Sequence, residues 1–210
     1  MDTILQLQFI LNNQNDNGTK MNIAYIHGFG SNFDATSPKV LALKQLGSVI
    51  GFDIDYTLPY KTIVELITSN VIKEGVELLV GTSMGGFFSA NCGAELNLPF
   101  VCLNPVIHPK QTLAKYIGSH IDYNDKPYTL LEAVVNDYPN SISTDGCGLI
   151  LLEKGDTLLD AIYSEQFLSP FYTTILSENG SHRFEGLEDK LPEIESFFTQ
   201  IKNLASTNDF

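Results

Sequence analysis

Short apolar runs alternate with amphipathic segments along most of this 210-residue chain. A first run, NIAYI, ends at His27 in a glycine loop, and further runs occur in SVIGFDID, VELLV, PFVCLN, GLILLEKGD and FYTTIL. Residues 38–46, 61–73, 85–96 and 191–204 have the apolar spacing of helices. Because strands and helices take turns, the pattern predicts a single α/β domain with a mostly parallel central sheet flanked by helices.

The two ends of the chain fall outside this alternation. Residues 1–20 are polar and rich in Asn, so we expect an N-terminal extension, then a domain over 21–205 and a tail over 206–210. The opening segment has no basic residue before Lys20, unlike a signal peptide, and its apolar run is too short to span a bilayer. The sequence therefore predicts a protein without a membrane span.

The alternation also breaks between about residues 105 and 143. This stretch contains four prolines and four tyrosines, with only short helical patches at 112–116 and 130–136. Insertions at the carboxyl edge of a parallel sheet commonly shape pockets, so we expect a short cap-like insertion. An ordinary surface excursion that covers one edge of the sheet is the alternative.

Charge and cysteine content narrow the classes of function. Lys and Arg number 12 against 25 Asp and Glu, and the net charge of −13 disfavours nucleic acid as a partner. Cys92, Cys102 and Cys147 are odd in number and lack C-x-x-C spacing, so neither a disulfide framework nor a zinc site is indicated. These features are typical of a cytoplasmic protein in a reducing compartment.

The pentapeptide Gly81-Thr82-Ser83-Met84-Gly85 follows the VELLV run directly and precedes a helical segment. A G-x-S-x-G sequence in this strand-turn-helix context is the nucleophile elbow of an α/β-hydrolase, in which a strained turn exposes the serine hydroxyl. Gly81 and Gly85 avoid side-chain clashes around that turn. The Met84 backbone N–H, at the start of the helix, is placed to stabilise an oxyanion. Ser83 is therefore the candidate nucleophile.

A serine nucleophile needs a histidine base and a carboxylate that orients it, and in this fold both follow the serine in the order acid, then histidine. GLILLEKGDTLLD and FYTTILSENGSHRFEG supply them in that order. Asp156 stands just past its strand and is the first candidate for the acid, with Asp160 as the fallback. Glu153 is too close to the strand end, and His182 is the candidate base.

Three other histidines, His27, His108 and His120, precede the last predicted strand and so fall outside the expected order. His27 opens the His27-Gly28-Phe29-Gly30 loop, where the Phe29 N–H is the candidate for the second oxyanion donor; a structural His-Gly turn is the alternative. No H-E-x-x-H or phosphate-loop pattern occurs, so we expect neither a metal nor a cofactor.

Five blocks, YIHGFGSN, GTSMGGFFSA, NPVIHP, GDTLLD and GSHRFEG followed by LPEIESFF, together resemble the YqiA-like esterases, a family of minimal α/β-hydrolases. The resemblance runs from residue 21 to about residue 198, and the blocks agree in order and spacing. It implies a minimal α/β-hydrolase fold with Ser83, Asp156 and His182 as the triad. It also implies activity on acyl esters, with acyl-CoA thioesters among the plausible substrates.

These observations lead to the hypothesis of a serine hydrolase that cleaves small-molecule acyl esters through a covalent acyl-Ser83 intermediate and needs no cofactor. An acyl-CoA thioesterase or an acyltransferase would use the same triad. A binding protein that retains the hydrolase fold without catalysis is a third alternative. The acidic balance of the chain favours simple esters over the highly anionic CoA group.

Overall fold

The computed structural model describes residues 20–122 and 125–207. Its strands are β1 (Met21–Ile26), β2 (Gly47–Gly51), β3 (Leu78–Thr82), β4 (Phe100–Leu103), β5 (Gly118–Ile121), β6 (Pro127–Leu130), β7 (Gly148–Glu153) and β8 (Thr173–Ser177). Six of them form one sheet in the order β2-β1-β3-β4-β7-β8, in which every neighbouring pair is parallel. The predicted α/β class and parallel sheet are confirmed.

The connections between these strands are largely helical. The α-helices of the described residues are α1 (Pro38–Leu43), α2 (Tyr60–Lys73), α3 (Met84–Leu96), α4 (Pro109–Ala114), α5 (Glu132–Asp137), α6 (Ala161–Leu168) and α7 (Leu191–Thr207). A short 3₁₀ turn, Glu188–Lys190, leads into α7. The helices predicted from apolar spacing begin within one residue of their predicted starts.

Helices cover both faces of the sheet, and the core is accordingly divided into two layers. Alternate residues of β3 belong to different layers: Leu79 packs with α2 and α3, whereas Leu78 packs with α1 and α7. Every residue of β3, β4 and β7 is buried. This explains why the central strands appear in the sequence as continuous apolar runs rather than as alternating patterns.

The strand predicted over SVIGFDID ends earlier, at Gly51. The Phe33 ring packs so tightly on Gly51 that a Cβ there would lie 2.0 Å from Phe33 Cδ2. The following residues turn across the carboxyl edge of the sheet, where the Ile54 N–H donates to His27 Nε2 at 3.0 Å. The second half of the predicted strand is therefore a loop that supports the region around His27.

Between β4 and β7 the chain forms α4, an antiparallel hairpin of β5 and β6, and α5. Sequence patterns indicated the two helical patches but not the hairpin, whose strands are only four residues long and mostly exposed. Tyr116 and Tyr128 from this insertion pack against Phe29, with ring centroids 5.0 and 5.5 Å apart. The insertion thus contacts the loop that follows β1, as a cap would, although its role as a cap stays a prediction.

The predicted N-terminal extension, residues 1–20, lies outside the described residues except for Lys20, which is exposed. At the other end, α7 continues to Thr207, two residues past the expected domain end at 205. Among the helices that the structure describes, none has the length and apolar character needed to cross a membrane.

Candidate active site

Ser83 occupies the sharp turn between β3 and α3. Its backbone has φ 57° and ψ −117°, a left-handed conformation that non-glycine residues seldom adopt. Hydrogen bonds hold the turn in place, because the Ser83 N–H donates to the Leu103 carbonyl at 3.0 Å. Its own carbonyl accepts from the Phe87 and Val106 N–H groups, each at 3.1 Å. The strained turn is therefore fixed by the strand, the helix and the loop after β4.

Close backbone packing explains two of the glycines selected from the sequence. A Cβ on Gly81 would lie 2.1 Å from the Gly85 carbonyl oxygen, and a Cβ on Gly85 would lie 2.0 Å from the Ile26 carbonyl oxygen. Neither contact is possible for another residue without movement of the backbone. Gly28 differs, since a Cβ there would meet Ser83 Cβ at an ordinary 3.5 Å. Gly28 thus lies against the candidate nucleophile without being required by space.

Ser83, His182 and Asp156 form one chain of hydrogen bonds. Ser83 Oγ lies 3.1 Å from His182 Nε2, and His182 Nδ1 lies 2.8 Å from Asp156 Oδ2. A carboxylate accepts only, so Nδ1 carries the proton and Nε2 is free to accept from the serine hydroxyl. The Asp156 side chain is only 1% exposed. The predicted residues are thus brought together in the geometry of a nucleophile, a base and an orienting acid.

The second carboxylate oxygen of Asp156 is also engaged. Asp156 Oδ1 accepts from the Leu158 and Leu159 N–H groups at 2.8 and 2.9 Å, which fixes the side chain in the turn after β7. The fallback acid, Asp160, instead caps α6 by accepting from the Tyr163 N–H at 3.0 Å. It stands at the start of that helix.

The other histidines lie apart from this chain of hydrogen bonds. His108 contacts the Tyr163 hydroxyl at 2.6 Å, and the exposed His120 stacks on Tyr128 in the hairpin. Neither is hydrogen-bonded to Ser83. In the described part of the chain, no group of three or more His, Cys, Asp or Glu side chains is arranged to hold a metal ion.

Two backbone N–H groups stand next to Ser83 without a protein acceptor. Met84 opens α3, and Phe29 follows Gly28, the residue packed on the Ser83 side chain. Within the described residues, neither the Phe29 nor the Met84 N–H donates to another protein group. Free N–H groups at a helix start and in a neighbouring loop are the donors that an oxyanion requires.

His27 is 2% exposed and joins the loop after β1 to the loop after β2. Its Nε2 accepts from the Ile54 N–H at 3.0 Å, so the proton of the neutral ring is on Nδ1, which lies 2.9 Å from the Gly28 carbonyl oxygen. The Tyr56 hydroxyl donates to the His27 carbonyl. Burial lowers the pKa of His27, opposed by the Gly28 contact and the charge of Asp53. A neutral His27 therefore supports the loop that carries Phe29.

This arrangement predicts a pH-dependent stability. In the unfolded chain His27 binds a proton near pH 6.5. The folded protein resists protonation because burial disfavours the charged ring and because Nε2 accepts from the Ile54 N–H. The free energy of unfolding should therefore be unaffected by His27 above about pH 6.5. Below that value it should fall by up to about 1.4 kcal/mol per pH unit until the folded-state pKa is reached. Urea unfolding at several pH values measures this slope.

The slope should be smaller in His27→Gln, which removes the titrating ring, and unchanged in His120→Gln, where the ring is exposed. Equal slopes in wild type and His27→Gln would contradict the assignment of His27 as a buried neutral histidine.

A cleft of about 940 Å³ opens above Ser83 and His182. The apolar part of its lining comes from the loop after β1, the insertion and the loop after β7, and includes Phe29, Leu113, Tyr116, Ile121, Tyr128 and Leu159. Polar residues of the lining come from the loop after β1, α1 and the loop after β8, and include Ser31, Asn32, Asp34, Lys39, Arg183 and Glu185. The cleft that contains the candidate nucleophile therefore has both apolar and polar residues in its lining.

The Lys39 ammonium donates to the Arg183 carbonyl at 2.6 Å. Burial and the nearby charge of Arg183 lower the pKa of Lys39, against the effects of Glu153 and Glu185. Groups of both charges therefore surround the Lys39 ammonium.

Some residues around the site were missed by sequence reasoning. The aromatic residues Tyr116 and Tyr128 enter through the unpredicted hairpin region, and Asn104 joins Glu153 in holding the loop that carries His182. Asn104 follows β4 at the carboxyl edge of the sheet, and that position was the available signal, since polar residues there face the site of an α/β protein.

A parallel sheet of this order, with a serine in the turn after β3, defines the α/β-hydrolase fold. Solved structures of other proteins have the same fold. Est1E from Butyrivibrio proteoclasticus has a TM-score of 0.68 at 13% identity, covering 89% of this chain and 90% of that one. An esterase from Pyrococcus furiosus has a TM-score of 0.58 at 16% identity, covering 91% of this chain and 84% of that one.

The chain belongs to the uncharacterised protein family UPF0227, whose family model matches residues 22–199. This is the YqiA family, so the resemblance noted in the sequence is confirmed. A UPF0227 protein of Yersinia enterocolitica is 26% identical over 183 residues, covering 84% of this chain and 98% of that protein. A UPF0227 protein of Serratia proteamaculans is 27% identical over the same length and with the same coverage.

Proposed function

We propose that this protein is a serine hydrolase that cleaves acyl esters. The observation that carries the proposal is the continuous chain from Ser83 Oγ through His182 to Asp156, with contacts of 3.1 and 2.8 Å. A serine hydroxyl is a weak nucleophile by itself, and a histidine held in the accepting tautomer is what activates it. The structural neighbours described as esterases share this fold and are consistent with the proposal.

In the proposed cycle, Ser83 Oγ attacks the ester carbonyl carbon while His182 Nε2 takes the hydroxyl proton. The Phe29 and Met84 N–H groups donate to the oxyanion, and Asp156 stabilises the imidazolium. His182 then gives its proton to the departing alcohol oxygen, leaving an acyl-Ser83 ester. A water molecule, deprotonated by His182, attacks the carbonyl carbon of this ester. The bond between that carbon and Ser83 Oγ then breaks, His182 returns the proton to Ser83 Oγ, and the acid is released.

The cleft supports an ester of modest size over a CoA thioester. Its volume of about 940 Å³ is in the range of small-molecule pockets, and the apolar residues of its lining suit an acyl group. Three basic residues of the lining, Lys39, Lys115 and Arg183, are matched in number by Asp34, Asp122 and Glu185. The cleft therefore has no excess of positive charge to bind the phosphates of CoA. The net charge of −13 acts in the same direction.

A fluorophosphonate probe tests the proposal directly. An activated serine displaces fluoride from the probe and retains the phosphonyl group, so the intact protein should gain that mass once, and peptide mapping should find it on Ser83. Protein unfolded in urea before exposure is the control and should remain unlabelled. A folded protein that gains no phosphonyl group, or gains it at another residue, would contradict the assignment of Ser83.

A further inference from the structure

A buried carboxylate outside the proposed triad forms hydrogen bonds with the loop that carries His182. Glu153, the last residue of β7, is 3% exposed. Its Oε2 accepts from the Ser181 N–H at 2.8 Å, and its Oε1 accepts from the Gly186 N–H at 3.0 Å. The two contacts bracket His182, one residue before it and four residues after it. A single side chain therefore fixes both ends of the segment that presents the imidazole.

Asn104, which follows the neighbouring strand β4, binds both Glu153 and the loop that carries His182. Asn104 is 2% exposed. Its Oδ1 accepts from the Glu153 N–H at 2.8 Å, and its Nδ2 donates to the Ser181 carbonyl at 2.9 Å. Both backbone polar groups of Ser181 are thus bound by buried side chains. Asn104 itself has φ 42°, a left-handed conformation that asparagine tolerates better than most residues.

The surrounding backbone is shaped to receive this carboxylate. Gly180 has φ 94°, and a Cβ on it would lie 2.1 Å from Glu153 Cδ. A Cβ on Gly155 would lie 2.0 Å from the Gly180 carbonyl oxygen, so the loop after β8 and the turn after β7 meet backbone to backbone. In that turn the Asp156 N–H donates to the Glu153 carbonyl at 3.0 Å. Glu153 thus contacts the segments that carry both the candidate acid and the candidate base.

We propose that Glu153 and Asn104 are positioning residues that set the distance between His182 and Ser83. Neither side chain is hydrogen-bonded to the Ser83, His182 or Asp156 side chains, so both act through the backbone of residues 181–186. The inference rests on the proposed function, because it assigns these residues to the same reaction. It goes beyond that function in predicting that a buried glutamate outside the triad controls the rate of the chemical step.

Glu153→Gln is the informative change, because it keeps the shape and replaces one acceptor oxygen by an NH₂ donor that must face a backbone N–H. We expect a folded protein whose kcat falls roughly 10²-fold, the effect of a displacement of about 1 Å in a catalytic group. KM should change much less than kcat, because Glu153 itself does not line the cleft and acts on it only through residues 181–186. Glu77→Gln is the matched control: Glu77 is equally buried, at 3%, but precedes β3 at the opposite edge of the sheet.

Asn104→Gly provides a second route to the same result if Glu153→Gln does not fold. Glycine accepts the left-handed backbone at this position and removes the side chain that binds Glu153 and Ser181, so kcat should again fall by much more than KM changes. A folded Glu153→Gln or Asn104→Gly protein with the kcat of wild type would overturn the proposal. So would an equal loss of kcat in Glu77→Gln, because the effect would then follow from lost stability.

Imidazole NMR separates this proposal from the proposed function. The Nδ1 proton of His182 faces Asp156, and its resonance, assigned by its loss in His182→Gln, reports that contact without any substrate. We expect the resonance to shift or broaden in Glu153→Gln and to be unchanged in Glu77→Gln. If wild type neither hydrolyses esters nor reacts with the probe, the proposed function fails, whereas an unperturbed resonance in Glu153→Gln refutes the positioning role alone.

Discussion

Ser83→Ala should lower kcat for ester hydrolysis by about 10⁵- to 10⁶-fold, the loss measured when the nucleophile of a serine hydrolase is removed. The change deletes only Oγ, whose structural contact is the 3.1 Å hydrogen bond to His182. The backbone turn is held by the Leu103 carbonyl and by the Phe87 and Val106 N–H groups, which the substitution leaves in place. The variant should therefore fold with the wild-type structure while losing activity.

Initial rates with a short-chain nitrophenyl ester measure this loss, and unfolding midpoints in urea check the fold. Ser196→Ala, which removes an exposed hydroxyl on α7, is the control and should retain full activity. A folded Ser83→Ala protein that keeps even one tenth of the wild-type kcat would exclude Ser83 as the nucleophile.

Asp156→Asn should lower kcat by about 10⁴-fold, the second largest effect that we expect. The asparagine oxygen can keep the contacts that Asp156 makes with the Leu158 and Leu159 N–H groups, at 2.8 and 2.9 Å, so its NH₂ group must face His182 Nδ1. His182 then accepts on Nδ1 and carries its proton on Nε2, where it can no longer take the proton of Ser83. The structure of the turn is preserved, but the histidine is held in the wrong tautomer.

Asp160→Asn makes the same chemical change four residues away and serves as the matched control. Asp160 caps α6, and asparagine is as good a cap as aspartate, so both stability and kcat should stay close to wild type. Steady-state kinetics of the two variants decides between the two acids that the sequence left open. A large loss in Asp160→Asn together with a small one in Asp156→Asn would reverse the assignment.

Much of the framework around the site could be predicted because its signals are local. The run VELLV, the two glycines around Ser83 and the helical spacing that follows lie within about twenty consecutive residues, and together they predicted the turn that the structure contains. The loop at His27 was found for the same reason, since an apolar run ends there in glycines. Backbone preference and burial along one segment are enough to specify such features.

Other features could not be predicted from the sequence, because the contacts that form them join residues far apart along the chain or because the local pattern gives no signal. The hairpin of β5 and β6 has short, mostly exposed strands, so it lacks the apolar alternation that identifies a strand. Glu153 appeared only as an acid too close to its strand end, since nothing nearby in sequence reveals that Ser181 and Gly186 supply its donors. The tautomer of His27 likewise depends on Ile54, which belongs to a segment predicted as a strand.

The sequence by itself determined the alternation of strands and helices, the turn at Ser83 and the order in which an acid and a histidine follow it. Tertiary structure decided which acid meets the histidine and how the imidazole is held. The reason is physical: the contacts of His182 join residues 99 and 26 positions apart, and only the packing of the parallel strands brings their carboxyl ends to one edge. Local propensity specifies the elements, whereas hydrogen bonds between distant segments select Asp156 over Asp160 and bind Glu153 to the His182 loop.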